Sequence, residues 1–324
     1  MKRFLRTREF NLIILIVVLM IIVAFRAPHF LSGENIERII NDTSILIMVS
    51  IGQFFVILTG GIDLSVGSVI AFSGMAASML NQYQPGIPAA IVFLVGVVIG
   101  LALGMINGAI VAFGKVPPII TTLGTMSIFR GFTFVLSKGQ WVTAHEMTES
   151  YMAIPHGSFL GLTNLIWAAI IISAITYYFS RYTRTGREVY AIGGNKVAAR
   201  FVGVKEEKIN FIIFAISGIL CGIAGVMWTS RYAAAVNETA TGFELQTVAA
   251  CVLGGVSIAG GSGAVPGVIL GALFLGIINN ALPVINLSPF FQMFIQGFVV
   301  LLAMFVNTMM DKRNEKLLLN RRRA

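Results

Sequence analysis

Ten apolar runs separated by polar stretches constrain this chain more than any other feature of its sequence. A helix needs about 20 mostly apolar residues to cross the hydrocarbon core of a bilayer. With 56% hydrophobic and only 11% charged residues, the chain is too apolar to wrap a single aqueous core. We therefore predict an all-α polytopic membrane protein, a single transmembrane domain over 1–324, with about ten spans at 10–26, 43–60, 65–81, 87–113, 118–137, 163–180, 209–229, 244–260, 264–282 and 289–308.

Some of these spans are expected to be short or broken. The spans at 244–260 and 264–282 are interrupted by glycines, as in half-helices that enter a membrane and return. Whether both cross is left open, and removing the pair does not change the parity of the crossings. The 34 glycines predict close helix packing, because small residues let membrane helices approach one another.

The distribution of Lys and Arg predicts the orientation, because positive charge collects in cytoplasmic loops. With both termini cytoplasmic, the cytoplasmic side receives Lys2, Arg3, Arg6, Arg8, Lys115, Arg181, Arg184, Arg187, Lys196, Arg200, Lys205, Lys208, Lys312, Arg313, Lys316, Arg321, Arg322 and Arg323. The net charge of +9 is explained in this way without a nucleic-acid partner. The first apolar run follows a basic start without a small-residue cleavage site, so we expect an uncleaved anchor.

A polar loop at 181–209, between the sixth and seventh spans, is patterned as two short helices. Residues 188–192 would form the first helix, which Gly193 and Gly194 would end. Asn195 would cap the second helix, which Gly203 would terminate. We expect apolar side chains to be exposed on both helices, namely Val189, Tyr190, Ile192, Val197, Phe201 and Val202. Such groups need a partner, either a protein groove or, as the alternative, the lipid headgroups beneath an amphipathic anchor.

Four blocks of sequence carry a resemblance to a known family. They are "TGGIDLSVGS" at 59–68, "GMINGAIVAFGKVPPIITTLGTMSIFRG" at 104–131, "TRTGREVYAIGGNKVAARFVGV" at 183–204 and "AACVLGGVSIAGGSGAVPGVILGA" at 249–272. In this order they resemble the permease subunits of ribose-type bacterial ABC sugar importers. The stretches "AACVLGG" and "RGFTFVLSKGQWV" resemble the sequences of the autoinducer-2 and rhamnose branches more than those of the ribose branch.

The resemblance implies a fold and a set of partners. The fold would be that of a type II ABC importer permease in the bacterial inner membrane, surrounded by lipid and paired with a second permease subunit, identical or related. A cytoplasmic ATPase and an extracytoplasmic solute-binding protein would complete the complex. The chain has no phosphate-binding G-x-x-x-x-G-K-[ST] loop, so ATP and Mg would be bound by the partner, with no cofactor, metal or catalytic residue on this chain. The residues that contact the ATPase would be Gly186, Arg187, Glu188, Tyr190, Ile192, Gly193, Gly194, Asn195, Arg200 and Phe201.

A neutral polyhydroxylated solute, such as ribose, rhamnose or autoinducer-2, requires hydrogen-bonding groups along its pathway. The candidates within the spans are Asn107, Thr121, Thr122, Thr125, Asn279 and Asn280. Each of them is equally compatible with a role in holding helices together.

Asp63 is one of very few acids near a span, and a carboxylate inside a membrane suggests function. It lies at the turn before the span at 65–81, where we favour a role as the N-cap of that helix. If the preceding span is discontinuous, Asp63 and Ser65 would instead approach the pathway.

The predicted outer loop at 138–162 contains two histidines and two glutamates, but their spacing is not that of a metal site. We expect this loop to face the binding protein, with Trp141 and Tyr151 as contact residues.

The main alternative function is an ion-coupled secondary sugar transporter. Such a transporter typically uses intramembrane acids or a lysine for coupling, and apart from Asp63 the predicted spans contain almost none.

Overall fold

The computed structural model describes residues 8–285 and, beyond them, 287–288, 290–292, 294–295, 297–298, 301–302, 305 and 309. The helices are Arg8–Arg26 (α1), Gly33–Leu58 (α2), Val66–Tyr83 (α3), Ala89–Ala112 (α4), Pro118–Ser137 (α5), Glu149–His156 (α6), Asn164–Tyr182 (α7), Arg184–Gly194 (α8), Lys196–Phe201 (α9), Glu206–Tyr232 (α10), Phe243–Leu253 (α11) and Val265–Val284 (α12). Two 3-10 helices lie at Pro28–Leu31 and Ala144–Glu146.

In the part of the chain that the structure describes, four two-residue strands lie in the loops between helices. They are Val142–Thr143 (β1), Ser158–Phe159 (β2), Leu162–Thr163 (β3) and Ala234–Ala235 (β4). β1 pairs antiparallel with β4, and β2 pairs antiparallel with β3. The β1–β4 pair joins two loops that are distant in sequence.

Six of the described helices are long and apolar enough to cross a membrane, namely α2, α4, α5, α7, α10 and α12. α11 has 11 residues, about 16 Å, which is half of a bilayer core. Of the two doubtful spans, 244–260 is therefore a half-helix followed by a loop, whereas 264–282 becomes α12 with 20 residues. The span predicted at 289–308 and the basic residues of both termini lie largely outside the described residues.

Glycines bring α4 and α10 into backbone contact at the centre of the bundle. A Cβ at Gly100 would collide with the carbonyl of Gly218, and a Cβ at Gly222 would lie 2.8 Å from the carbonyl of Gly96. Gly104 meets the same stretch of α10. Every fourth residue of α4 is a glycine over this contact, which confirms the prediction that glycine serves close packing.

The two ends of the bundle differ. One end, here called the α8 face, carries α8, α9, the C-termini of α2, α4 and α7, and the N-termini of α5, α10 and α12. The other end, the opposite face, carries α6 and the four strands. The basic residues Lys115, Arg181, Arg184, Arg187, Lys196, Arg200, Lys205 and Lys208 all belong to segments at the α8 face. That this face is cytoplasmic remains a prediction.

Candidate functional site

The polar loop folds into the two helices expected, each with its own cap. Thr183 accepts a hydrogen bond from the Gly186 amide (3.0 Å), so α8 begins four residues before the predicted start at Glu188. Asn195 caps α9 by accepting from the Ala198 amide (3.0 Å), as predicted. Gly203 follows α9 with φ of 84°, a conformation that glycine adopts readily.

The apolar face of α8 is buried against the chain itself, which corrects the expectation that it is exposed. Val189 and Ile192 are fully buried, because α8 lies across the ends of the long helices instead of projecting from them. The half-buried Tyr190 hydroxyl donates to the Gly263 carbonyl (2.9 Å). Burial raises the pKa of Tyr190, which keeps the hydroxyl protonated as a donor.

Gly193 is the point where three segments meet. A Cβ at this position would collide with the Leu58 carbonyl oxygen at the end of α2 and with the Gly261 amide nitrogen. Those two groups are hydrogen-bonded to each other, at 2.9 Å. Since a side chain larger than hydrogen does not fit, the backbone of α8 rests directly on α2 and on the loop that leads into α12.

α9 differs from α8 because its apolar side chains face outward. Val197, Phe201 and Val202 are 64%, 87% and 78% exposed, as predicted. The helix is held from its other side by Glu206, which pairs with Lys196 (3.2 Å) and Arg200 (2.6 Å). The result is a fixed helix with an apolar tip.

The other residues predicted to contact the ATPase are spread over both sides of this segment. Gly186 is buried, because a Cβ there would collide with the Phe179 carbonyl. Glu188 pairs with Arg184 (2.8 Å), and Arg187 donates to the Tyr182 carbonyl (3.1 Å). Arg187, Gly194, Asn195, Arg200 and Phe201 are accessible for contact with another protein.

A short non-helical segment, residues 59–65, turns back from the end of α2 into the bundle. Gln53 satisfies its backbone: with its amide oriented to match both groups, it donates to the Asp63 carbonyl (3.0 Å) and accepts from the Asp63 amide (3.1 Å). Irregular backbone inside a membrane protein requires such partners. Gln53 was not among the predicted site residues, although a glutamine within the apolar run 45–58 is a visible signal.

The Asp63 carboxylate lies at the centre of a buried polar cluster. One oxygen accepts from the Ser65 amide (2.9 Å) and the Ser65 hydroxyl (2.6 Å), and the other accepts from Ser217 (3.3 Å). Asn107 donates to the Ser65 hydroxyl oxygen (2.8 Å). Ser217 lies about 17 Å from the first residue of α10, measured along the helix axis, and this is near the middle of the bilayer that α10 is long enough to cross. Three predicted pathway residues, Asp63, Ser65 and Asn107, are thus joined, and Ser217 is an addition that its sequence context did not reveal.

Asp63 is not the N-cap of α3, which corrects the favoured sequence interpretation. Ser65 occupies that position, and α3 begins at Val66. Asp63 lies two residues earlier and binds the amide of Ser65 instead of the amides of the first turn. Its side chain is almost fully buried, at 4% exposed, and accepts hydrogen bonds from the hydroxyls of Ser65 in its own segment and of Ser217 on α10.

Two of the three predicted pathway threonines, all of which lie on α5, donate to backbone carbonyls of their own helix. Thr122 donates to Pro118 (2.9 Å) and to Ile62 (3.2 Å), and Thr125 donates to the Thr122 carbonyl (3.4 Å). Within the described part of the chain, the buried hydroxyl of Thr121 has no hydrogen-bond partner. Thr122 therefore fastens α5 to the segment 59–65, and none of the three lines the cavity described next.

A cavity of about 740 Å³ opens at the opposite face, between α2, α10, α11 and α12. This volume is within the range of small-molecule sites. Amide side chains form one wall, where Asn280 accepts from Asn35 (3.3 Å) and Asn279 donates to Gln246 (3.2 Å). The aromatic rings of Trp228 and Phe243 also line the cavity. Asn279 and Asn280, predicted as pathway residues, thus lie apart from the Asp63 cluster.

The two residues predicted to contact the binding protein, Trp141 and Tyr151, differ in their exposure. Trp141 is 59% exposed. Tyr151 is fully buried, and its hydroxyl bonds Ser78 (3.2 Å) and Thr229 (2.7 Å), so it fixes α6 to α3 and α10 and offers no surface to a partner. This corrects the expectation for Tyr151, whereas that for Trp141 stays a prediction.

Comparison with known proteins gives a consistent result. A family described as "Branched-chain amino acid transport system / permease component" matches residues 35–304. The ribose import permease protein of Haemophilus influenzae is 38% identical over 296 residues, 91% of each chain. The autoinducer 2 import system permease protein of Shigella flexneri is 34% identical over 299 residues, which are 92% of this chain and 86% of the relative. The L-arabinose ABC transporter permease protein of Azospirillum brasilense is 33% identical over 306 residues, which are 94% and 88%. No solved structure gives a significant match.

These identities confirm the resemblance to the permeases of ribose-type importers. The ribose relative shares slightly more residues than the autoinducer 2 relative does. The expected position nearer the autoinducer-2 branch therefore receives no support from these comparisons.

Proposed function

Because this chain belongs to the family of branched-chain amino acid transport system permease components, we propose that it is the membrane subunit of an ATP-binding cassette importer for a small polyhydroxylated solute. The family and the six long apolar helices make it a multi-pass membrane protein. ATP is hydrolysed by a separate subunit in this proposal. The chain supplies the transport pathway and pairs with a second permease subunit.

The contact of Gly193 with Leu58 and Gly261 is the observation that carries this proposal. α2 extends about 39 Å from Leu58 to the cavity at the opposite face, where its residues Asn35 and Asp42 form part of the wall. A force on α8 therefore reaches the cavity through one continuous and largely buried helix. The same force reaches the entrance of α12 through Gly261. Motion of α8 would in this way change access to the cavity.

The exposed tip of α9 supports a protein partner at the α8 face. Val197, Phe201 and Val202 form an apolar surface on a short helix that salt bridges hold in place. A helix with an apolar face that binds in a hydrophobic groove is a common mode of recognition. The buried face of α8 leaves little apolar surface for a flat lipid anchor, so we assign this tip to the ATPase, with the α8 face cytoplasmic.

The cavity at the opposite face is suited to a neutral polar solute. Asn279, Asn280 and Gln246 supply both donors and acceptors, and Trp228 and Phe243 supply apolar surface. The names of the three relatives specify ribose, autoinducer 2 and L-arabinose, which share several hydroxyl groups on a small skeleton. We infer that the cavity receives such a solute from a binding protein docked at this face.

A transport assay tests the proposal against its alternative. The chain is reconstituted in vesicles with its ATPase and binding protein, and uptake of labelled sugar is measured with ATP or with a proton gradient alone. We expect uptake with ATP only, and a deletion of residues 186–203 should leave ATP hydrolysis but abolish uptake. Uptake driven by the proton gradient without ATP would refute the importer and favour an ion-coupled carrier, for which the buried Asp63 is the candidate coupling residue.

A further inference from the structure

A second cavity, of about 430 Å³, lies at the α8 face between the end of α7, the first half of α8 and the residues that lead into α12. It is separate from the cavity at the opposite face. Residues 263–265 form part of the lining, and the polar residues that line it are Tyr177, Ser180, Arg181, Arg187 and Tyr190. The polar side chains of the lining thus come from two helices, α7 and α8.

Among the described residues, the charge that lines this cavity is positive and has no carboxylate beside it. Both charged residues that line it are arginines, and no carboxylate is among its lining residues. Within the described ranges Arg181 forms no salt bridge, and Arg187 donates to the Tyr182 carbonyl. The neighbouring basic residues Arg184, Lys196 and Arg200 differ, because each of them is paired with a glutamate.

The cavity lies at the depth where lipid headgroups are found. Tyr178 and Tyr182 lie in the same turns of α7, are exposed, and stack with their ring centroids 5.3 Å apart. Further along α7, Ile171 and Ile175 are also exposed. An apolar surface that ends in exposed tyrosines is typical of a helix passing from lipid tails into the interface. The tyrosine pair therefore marks the interface beside the cavity.

We propose that this cavity binds a phosphate group, and that the phosphate belongs to the headgroup of an anionic phospholipid. Guanidinium groups bind phosphate oxygens through paired hydrogen bonds, and basic pockets between transmembrane helices bind anionic headgroups. A soluble phosphate offers the same oxygens, but the position beside the lipid-facing side of α7 favours the lipid. Because Arg181 belongs to α7 and Arg187 to α8, the bound phosphate links the two helices.

Lipid binding to the purified full-length chain tests this site without any transport assay. Bound phosphatidylglycerol is titrated and counted by native mass spectrometry, with phosphatidylcholine as the neutral comparison. We expect Arg181→Gln to weaken phosphatidylglycerol binding about fivefold, the effect of one cation near a membrane surface. Arg184→Gln is the matched control, because Arg184 lies on the same face but is paired with Glu188. It should bind phosphatidylglycerol as the unmodified chain does.

Competition with inorganic phosphate identifies the source of the phosphate group. Phosphatidylglycerol that is retained in excess inorganic phosphate supports the lipid site. Displacement from the unmodified chain supports the phosphate site but assigns its ligand to solution. Equal losses in Arg181→Gln and Arg184→Gln, or no loss in Arg181→Gln, would overturn the proposal. Arg181 is exposed and has no salt bridge to a described residue, so the variant should unfold at the same temperature in phosphatidylcholine, which checks that its fold is intact.

Discussion

Arg231 donates twice to the same carboxylate oxygen of Asp42, from Nη2 at 2.6 Å and from Nε at 3.1 Å. The pair joins the end of α10 to the outer part of α2 at the mouth of the large cavity. Tyr232 donates to the same oxygen (3.2 Å). Three donors on one oxygen make Asp42 the centre of a junction between α2 and α10.

This junction predicts a difference between two acid-to-amide substitutions. Asp42→Asn removes the negative charge opposite the largely buried Arg231 and weakens the hydrogen bonds to it, so we expect a loss of about 1–3 kcal/mol in the free energy of unfolding. Glu34→Gln is the control, because the Glu34–Arg38 pair is long (3.8 Å) and exposed on both sides. Thermal unfolding in detergent measures both, and equal melting temperatures for the two variants would contradict the role of the junction.

Gly193→Ala should impair transport through a clash between backbones. The added methyl group collides with the Leu58 carbonyl, and overpacking of this kind costs about 1–3 kcal/mol. Gly194→Ala is a control one residue away, because a Cβ there has no atom within 4 Å. ATP-driven uptake in vesicles should fall for the first variant and stay normal for the second. Normal uptake by Gly193→Ala would show that this contact does not transmit motion.

The polar cluster around Asp63 predicts a graded loss of stability. Ser217→Ala removes one long hydrogen bond and should cost about 1 kcal/mol. Asp63→Asn removes the charge that strengthens the hydrogen bonds from Ser65 and replaces one acceptor oxygen with an amide donor, so it should cost more, about 1–3 kcal/mol. Ser50→Ala is the control, since that buried hydroxyl has no partner among the described residues. Denaturant titration ranks the three variants, and an Asp63→Asn variant as stable as Ser50→Ala would contradict the cluster.

Substitution of two exposed aromatic residues should distinguish the surface that binds the ATPase from the surface that binds the solute-binding protein. Phe201→Ala shortens the apolar tip at the α8 face and should weaken binding of the ATPase subunit without affecting the binding protein. Trp141→Ala, at the opposite face, should have the reverse effect. Each variant thus controls for the other in pull-down measurements with the two purified partners. If Phe201→Ala weakened only the binding protein, the assignment of the faces would be wrong.

The loop at residues 143–148, at the opposite face, should lose local structure at acidic pH. The amide and hydroxyl of Thr143 donate to Glu146 at 2.9 and 3.1 Å, and they hold the pKa of that carboxyl below its ordinary value of 4.5. A pKa lower in the folded than in the unfolded state stabilises the loop above the unfolded value, and the effect is lost as pH falls through the folded one. Hydrogen exchange of amides 143–148 should therefore accelerate below about pH 4.5 relative to the rest of the chain. Glu146→Gln should remove this pH dependence, and its persistence in that variant would assign it to another group.

Much of the architecture was predictable because lipid imposes a simple rule on sequence. A run of about 20 apolar residues has no stable alternative to a helix in a membrane. α4, α5 and α7 accordingly lie close to their predicted limits. The ends of α9 were equally predictable, since Asn195 and Gly203 act on backbone groups within a few residues of their own position. The half-length of α11 was anticipated as one option by the glycines that follow it.

Contacts between distant segments were not predictable in the same way. Val189 and Ile192 were expected at the surface, and Tyr151 was expected to meet a partner, yet all three are buried. A periodic apolar pattern shows that a side chain will be covered, but it does not identify the covering surface. Asp63 and Ser217 are 154 positions apart, and no local signal connects them.

The sequence by itself determined that this chain crosses a membrane repeatedly and presents a two-helix polar loop, because the hydrophobic effect and helix capping act locally. Only the tertiary structure decided that α8 rests on the backbones of Leu58 and Gly261, and that Asn279 and Asn280 line a cavity apart from Asp63. Those arrangements depend on close packing between helices, where a single added methyl group at Gly193 decides whether two backbones can touch.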